Sequence, residues 1–164
     1  MELTKTKKKT AKKSPVKNQV KKLGKFMPGG YSVKVKRSIA GLGLYAQETI
    51  PTGACIIEYT GREISKEEEE TINSLYLFEV SKKKTLDGSI RSNTARYINH
   101  SCRPNCEIEI YKERVYVMAK RAIKEGEELN YDYDTSYFNE YIKPKGCRCI
   151  KCAPELHKQT AKKK

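Results

Sequence analysis

The sequence predicts a mostly-β domain, and three observations point there. Short stretches alternate apolar and polar residues, turn residues recur roughly every ten positions, and only one short segment looks helical. After Pro28-Gly29-Gly30, the run Tyr31-Ser32-Val33-Lys34-Val35-Lys36 alternates as a half-buried strand does. Gly41-Leu42-Gly43-Leu44-Tyr45 reads by itself as a tight turn leading to a core tyrosine. Ile50-Pro51-Thr52-Gly53 is a turn, and residues 54–59 form a strand carrying Ile56 and Ile57 before Gly61 ends it. Residues 64–73, with four consecutive glutamates, are the helix candidate. Residues 76–80 read as a strand and Asp87-Gly88 as a turn. Residues 107–111 and 114–119 alternate on either side of Lys112-Glu113 and predict a hairpin. Glu125-Gly126 then turns the chain into a last strand at 128–133, and no internal repeat is visible.

A chain of 164 residues and 18.8 kDa, 37% hydrophobic, suits one domain with a modest core. The net charge of +14 is unevenly spread: residues 1–27 carry +9, residues 158–164 carry +4, and residues 28–157 only +1. The N-terminal lysine-rich stretch has too few large apolar groups to offset the entropy of ordering, so it predicts a disordered tail. Such a tail either solubilises the domain or serves as an arm for nucleic acid or acidic protein; two basic blocks flanking a neutral body favour the arm. No apolar run follows the first lysines, and none approaches a membrane span, which argues for an intracellular protein. Six cysteines in that setting predict reduced thiols, and Zn²⁺ rather than disulfides.

The chemistry concentrates in two places. Arg96-Tyr97-Ile98-Asn99-His100-Ser101-Cys102-Arg103-Pro104-Asn105-Cys106 packs an Asn-His pair, a cysteine and a Pro-Asn turn into one polar loop. Gly146-Cys147-Arg148-Cys149-Ile150-Lys151-Cys152 supplies three more cysteines far downstream. A polar loop and a distant thiol cluster suggest one active site closed by a metal.

With Gly41-Leu42-Gly43 followed by Tyr45, Glu58-Tyr59-Thr60-Gly61, and Glu128-Leu129-Asn130-Tyr131-Asp132-Tyr133, these segments resemble, in order, the motifs of the SET domain, the fold of a large class of protein-lysine methyltransferases. The terminal cysteines resemble that family's post-SET segment. The resemblance covers about residues 30–157. It implies several small β-sheets, few short helices and a C-terminal pseudoknot in which the chain after Tyr131 threads beneath the loop holding Asn99 and His100. It also implies transfer of a methyl from S-adenosylmethionine to a lysine ε-amine.

That reaction needs a neutral amine aligned with a sulfonium methyl, whereas free lysine has a pKa near ~10.4. The resemblance places Tyr133, Tyr59 and Tyr131 around the amine, with Tyr133 as the key position and Tyr131 setting the number of methyl groups. A tyrosine at Tyr131 favours mono- or dimethylation. Cofactor contacts would come from Gly41, Leu42, Gly43, Tyr45, Arg96, Asn99 and His100, with Leu156 as an apolar lid. Cys102, Cys147, Cys149 and Cys152 would hold a structural Zn²⁺; buried free thiols are the plain alternative. The Cys-x-Cys-x-x-Cys loop is tighter than the family's usual spacing, and Ser92-Asn93 stands in place of its Gly-Asn. Cys55 is expected in the core and Cys106 in a structural role, with substitution as a ligand open.

The expected organisation is a disordered tail at 1–27, a SET domain at 28–135, a zinc segment at 136–157 and a basic tail at 158–164. The expected partner is a protein with an exposed lysine, a histone or histone-like tail, with non-specific nucleic acid at the lysine-rich ends and no membrane. The expected location is the nucleus or chromosome in a eukaryote, or the cytoplasm or nucleoid in a bacterium. The competing reading is a catalytically weak SET-shaped module tethered to nucleic acid.

Overall fold

The computed structural model describes residues 24–161. The expected basic tails therefore lie outside the described residues, apart from 24–27 and 158–161. Ten short strands dominate the described residues. The first six are β1 (Val33–Ser38), β2 (Gly41–Ala46), β3 (Cys55–Tyr59), β4 (Arg62–Ile64), β5 (Leu77–Ser81) and β6 (Lys84–Asp87). The rest are β7 (Asn99–His100), β8 (Cys106–Tyr111), β9 (Arg114–Ala119) and β10 (Asn130–Tyr131). They make four small sheets: the β1–β2 hairpin, β3-β9-β8, β4-β6-β5, and the pair β7–β10. This is the mostly-β architecture of several small sheets that the sequence predicts.

The β8–β9 hairpin turns through Lys112 and Glu113, both at positive φ (48° and 54°). That turn geometry matches the twist of paired strands. The helix expected at 64–73 shrinks to α1 (Lys66–Thr71). Ser65 caps it, accepting the Glu68 N–H while the Glu68 side chain reaches back to the Ser65 N–H, a complete capping box. Ile64 is drawn instead into β4, paired with Thr85 of β6. Strand β6 was not foreseen; it lies between β4 and β5, and its middle residues Thr85 and Leu86 are both buried.

The strand expected at 128–133 reduces to the two residues of β10, which pair in parallel with β7, Asn130 opposite Asn99 and Tyr131 opposite His100. Side chains do much of the joining. The Asn105 N–H donates to Asn130 Oδ1 (3.1 Å) and the Asn130 N–H to Asn105 Oδ1 (2.9 Å). Asn105 Nδ2 donates to the Glu128 carbonyl (2.8 Å), and the Ser101 N–H to the Tyr131 carbonyl (3.0 Å). These bonds satisfy a buried amide, Asn105 being 2% exposed, and lock the two motif segments side by side.

Beyond Asp134 the chain is helical, which strand periodicity did not suggest. Asp134 accepts from the Ser136 and Tyr137 N–H groups and starts α2 (Thr135–Tyr137); a π turn (Phe138–Ile142) and a 3₁₀ turn (Lys143–Lys145) follow. The cysteine loop leads into α3 (Pro154–Ala161). No helix among the described residues is long and apolar enough to cross a membrane.

The main core gathers Leu44, Ile50, Ile98, Val115, Val117, Ile123 and Leu129, all essentially inaccessible. Val115 and Val117 face it from β9, while their neighbours Tyr116 and Met118 face the other way with Cys55. Phe26 covers that outer face, its ring stacked on Tyr111 at 4.3 Å, and Lys25 pairs with Glu109 (2.6 Å).

Candidate active site and thiol cluster

A cavity of about 1340 Å³ lies between the small sheets and the C-terminal helical segment. Strand β5, the β7–β10 pair and α2 all contribute to its wall. One part is tyrosine-rich: Tyr59 from the end of β3, Tyr131 from β10, then Tyr133 and Tyr137. Their rings interlock, Tyr131 and Tyr133 at 4.8 Å, Tyr133 and Tyr137 edge-on at 5.2 Å.

The hydroxyl hydrogens are already assigned. Tyr133 Oη donates to the Ile98 carbonyl (2.8 Å) and Tyr59 Oη to the Tyr76 carbonyl (2.8 Å). Each oxygen then has only acceptor capacity left for a visitor. Burial pushes the Tyr59, Tyr131 and Tyr133 hydroxyls well above the ordinary tyrosine pKa, with neighbouring tyrosines adding to it at all three. At neutral pH they are uncharged and poor bases.

Leu42, Arg96, Asn99 and His100 line the same cavity. The Asn99 amide donates to the Leu42 carbonyl (2.8 Å) and to Glu128 Oε1 (2.7 Å). His100 accepts the Tyr133 N–H at Nδ1 (3.1 Å), and its Nε2 lies 3.2 Å from Cys102 Sγ. Burial lowers the His100 pKa, opposed by nearby Asp132, so the ring is neutral. The Arg96 guanidinium sits between the Tyr76 and Tyr97 rings, donating to the Ser89 carbonyl and to Tyr97 Oη (2.7 Å). Its Nε is the one buried side-chain N or O among the described residues without a hydrogen-bond partner.

Gly41, Gly43, Tyr45 and Leu156 do not line the cavity. Gly41 follows the β1–β2 turn at φ +120°, a conformation that suits glycine. Gly43 meets a protein neighbour: a Cβ there would strike the Glu128 carboxylate and lie 3.0 Å from Ser38 Cβ. Glu128 Oε2 also accepts from Tyr45 Oη (3.1 Å). Burial, then the Glu128 charge, pushes Tyr45 up to about 12. Glu128 thus joins Gly43, Tyr45 and Asn99, a role the sequence reading did not give it. The signal available was a glycine inside a strand, a mark of close approach. Tyr137 was also missed, because nothing in its local sequence distinguishes it from the other tyrosines.

Cys102, Cys147, Cys149 and Cys152 converge, with their sulfurs all within 4.8 Å of one another. Cys102 Sγ lies 3.9 Å from Cys147 Sγ and 3.8 Å from Cys152 Sγ. A tetrahedral zinc with Zn–S bonds near 2.3 Å has S···S edges of about 3.8 Å, so this donor set fits such an ion. Burial works against a thiolate at Cys149, but the backbone N–H groups of Cys102 and Cys152, the Cys147 side chain and the Lys151 N–H outweigh it and bring its pKa down to about 6. Cys55 and Cys106 are buried elsewhere, raised by burial to about 11 and about 12. Cys106 bonds Asn105 Oδ1 (3.4 Å) and is not in the cluster.

Comparison with known proteins gives a consistent result. A model of the SET domain family matches residues 41–134. Histone-lysine N-methyltransferase trr of Drosophila melanogaster is 38% identical over 130 residues, 71% of this chain but 5% of that protein. A histone-lysine N-methyltransferase, H3 lysine-4 specific, of Chaetomium globosum is 40% identical over 130 residues, covering 71% and 12%. Histone-lysine N-methyltransferase 2D of Homo sapiens is 34% identical over 127 residues, covering 70% and 2%. The chain thus spans a small fraction of these relatives' lengths. The family match takes in more than half of the chain, including β2, the β7–β10 pair and five of the cavity's tyrosines, so the chain belongs to the SET domain family.

Proposed function

We propose that the protein transfers a methyl group from S-adenosylmethionine to the ε-amine of a lysine on a histone or histone-like tail. The observation that carries this is the meeting of Tyr133 with residues 98–100 in a cavity shared with Tyr59 and Tyr131. Supporting it, each of the relatives above is named a histone-lysine N-methyltransferase. The cavity exceeds the usual size of a small-molecule site, leaving room for a cofactor and a lysine side chain together.

The bound cofactor supplies an electrophilic methyl on a sulfonium. Leu42, Arg96, Asn99 and His100 are the cavity residues that would hold it. Gly41, Gly43 and Tyr45 would act from behind this wall by fixing β2 and Glu128, and Leu156 from α3. The tyrosines handle the amine. With their hydrogens committed to backbone carbonyls, the Tyr133 and Tyr59 oxygens accept N–H bonds from the incoming amine and aim its lone pair at the methyl. Their buried, neutral state excludes them as strong bases, so orientation and exclusion of water are their contribution. Tyr131, packed at a tilt against Tyr133, narrows the pocket and favours mono- or dimethylation. Cys102, Cys147, Cys149 and Cys152 would hold a structural Zn²⁺ that ties the C-terminal segment to the loop at 99–106. The basic ends would keep the enzyme on a chromosome through salt-sensitive phosphate contacts. The proposed organisation remains a tail at 1–27, the SET domain at 28–135, the zinc segment at 136–157 and a tail at 158–164.

The test is transfer of labelled methyl to histones and bacterial histone-like proteins. The wild type transfers label, and Tyr133→Phe loses on the order of 10²-fold in rate through misaligned reactants. Tyr131→Phe shifts the product to higher methylation, read by mass spectrometry; an unchanged product rejects its assignment. No label from folded, cofactor-bound wild type would favour the SET-shaped module held on nucleic acid.

A further inference from the structure

We infer that His100 is a positioning residue that connects the thiol cluster to the backbone of Tyr133. The ring is nearly inaccessible, its side chain 5% exposed, and it is packed between Tyr133 (5.4 Å) and Phe138 (5.1 Å). The Tyr133 N–H points at Nδ1 from 3.1 Å, so Nδ1 is the acceptor and carries no hydrogen. With Nδ1 occupied as an acceptor, the ring hydrogen is on Nε2, which faces Cys102 Sγ at 3.2 Å. One imidazole thus takes a hydrogen bond from the strand end that carries the key tyrosine and gives one to a cluster sulfur. Asp132 Oδ1, 3.4 Å from Nδ1 and itself mostly exposed, is the other charged group facing the ring.

Two independent consequences follow. A donor to a ligand sulfur stabilises its thiolate form and fixes its direction, and loss of such an outer-shell partner typically lowers metal affinity 10–100-fold. In turn, whatever fixes Cys102 fixes the ring, and the ring holds the Tyr133 amide. The Tyr133 hydroxyl is tied to Ile98 of the same loop, so both ends of residue 133 are referenced to the segment that the cluster anchors. The relay requires that the thiols hold a metal but not that the protein methylates lysine, so its failure and that of the transferase reading are separable.

The chemistry of amides allows the two bonds to be broken one at a time. Asn at position 100 places an oxygen where Nδ1 sits and keeps the Tyr133 bond without reaching Cys102. Gln extends its NH₂ to the Nε2 position and keeps the Cys102 bond without serving Tyr133. The experiment uses the full chain loaded with one equivalent of Zn²⁺, following zinc release to a colorimetric chelator and hydrogen exchange at the Tyr133 amide by NMR. His100→Asn is expected to weaken zinc binding about 10–100-fold with Tyr133 protection intact. His100→Gln is expected to retain zinc while the Tyr133 amide exchanges roughly 2- to 10-fold faster. His100→Phe keeps an aromatic ring and loses both. Equal zinc release from all four proteins, Tyr133 exchange that ignores residue 100, joint loss of both properties in Asn and Gln alike, or no stoichiometric zinc binding would each overturn the relay.

Discussion

Glu128 shows how one carboxylate organises residues brought together from three parts of the chain. It accepts from Asn99 and Tyr45 and lies directly against Gly43. Gly43→Ala should therefore cost about 1–3 kcal/mol, because the new methyl displaces Glu128 or Ser38. Urea denaturation checks this, and the Gly43→Ala, Glu128→Ala pair should be less destabilised than the two singles added together. A glycine free of side-chain bulk was legible at position 43, with a bound cofactor as its expected neighbour. Its nearest atoms are those of residue 128, and no local pattern in the sequence brings those two positions together. Asn99, His100, Tyr59, Tyr131 and Tyr133 were legible as a group through the motifs they occupy, and the fold brings all five to one cavity. Their hydrogen-bond partners were not, since most of those are backbone carbonyls and amides, which every residue carries.

At the level of elements, the β8–β9 hairpin was legible because alternation and a two-residue turn coincide there. Lys112 and Glu113 nevertheless adopt positive φ without the Asn-Gly that this turn prefers. Lys112→Asn with Glu113→Gly should stabilise the protein by about 1 kcal/mol and raise Tm by a few degrees, measured by thermal unfolding. The Lys84–Glu113 contact, at 3.9 Å and with the Glu113 side chain 69% exposed, contributes too little to reverse the sign. β6 was missed because a central strand buried on adjacent residues loses its alternation, as Thr85 and Leu86 do. β10 ends early because its only ladder partner, β7, is two residues long. The turns after Asp134 form short helices whose start is set by a capping aspartate and whose cover is tertiary, through Tyr137 on Tyr133 and Phe138 on His100.

Across the whole molecule, several acidic groups stay protonated in the fold beyond their ordinary range. Burial raises Cys55 to about 11, Cys106 to about 12 and Tyr45 to about 12, from ordinary values of 9.0, 9.0 and 10.0. Above pH 9 to 10 the unfolded chain releases these protons while the folded protein keeps them, so the unfolded state binds fewer protons and stability falls as pH rises. The contribution is fully present below pH 9 and is lost progressively as pH rises toward 12. Urea midpoints measured from pH 8 to 11.5 should decline once pH 9 is passed; a flat profile would refute the protonated assignments. Finally, Phe26 and Lys25 clasp the side of β8 and β9 that looks away from the cavity, which Ile108 lines from the opposite side. A polyanion gripped by lysines close to that clasp would moor the protein by its back. The cavity, on the other side of these strands, would then stay uncovered, so a polyanion and a cavity ligand need not compete for the same surface.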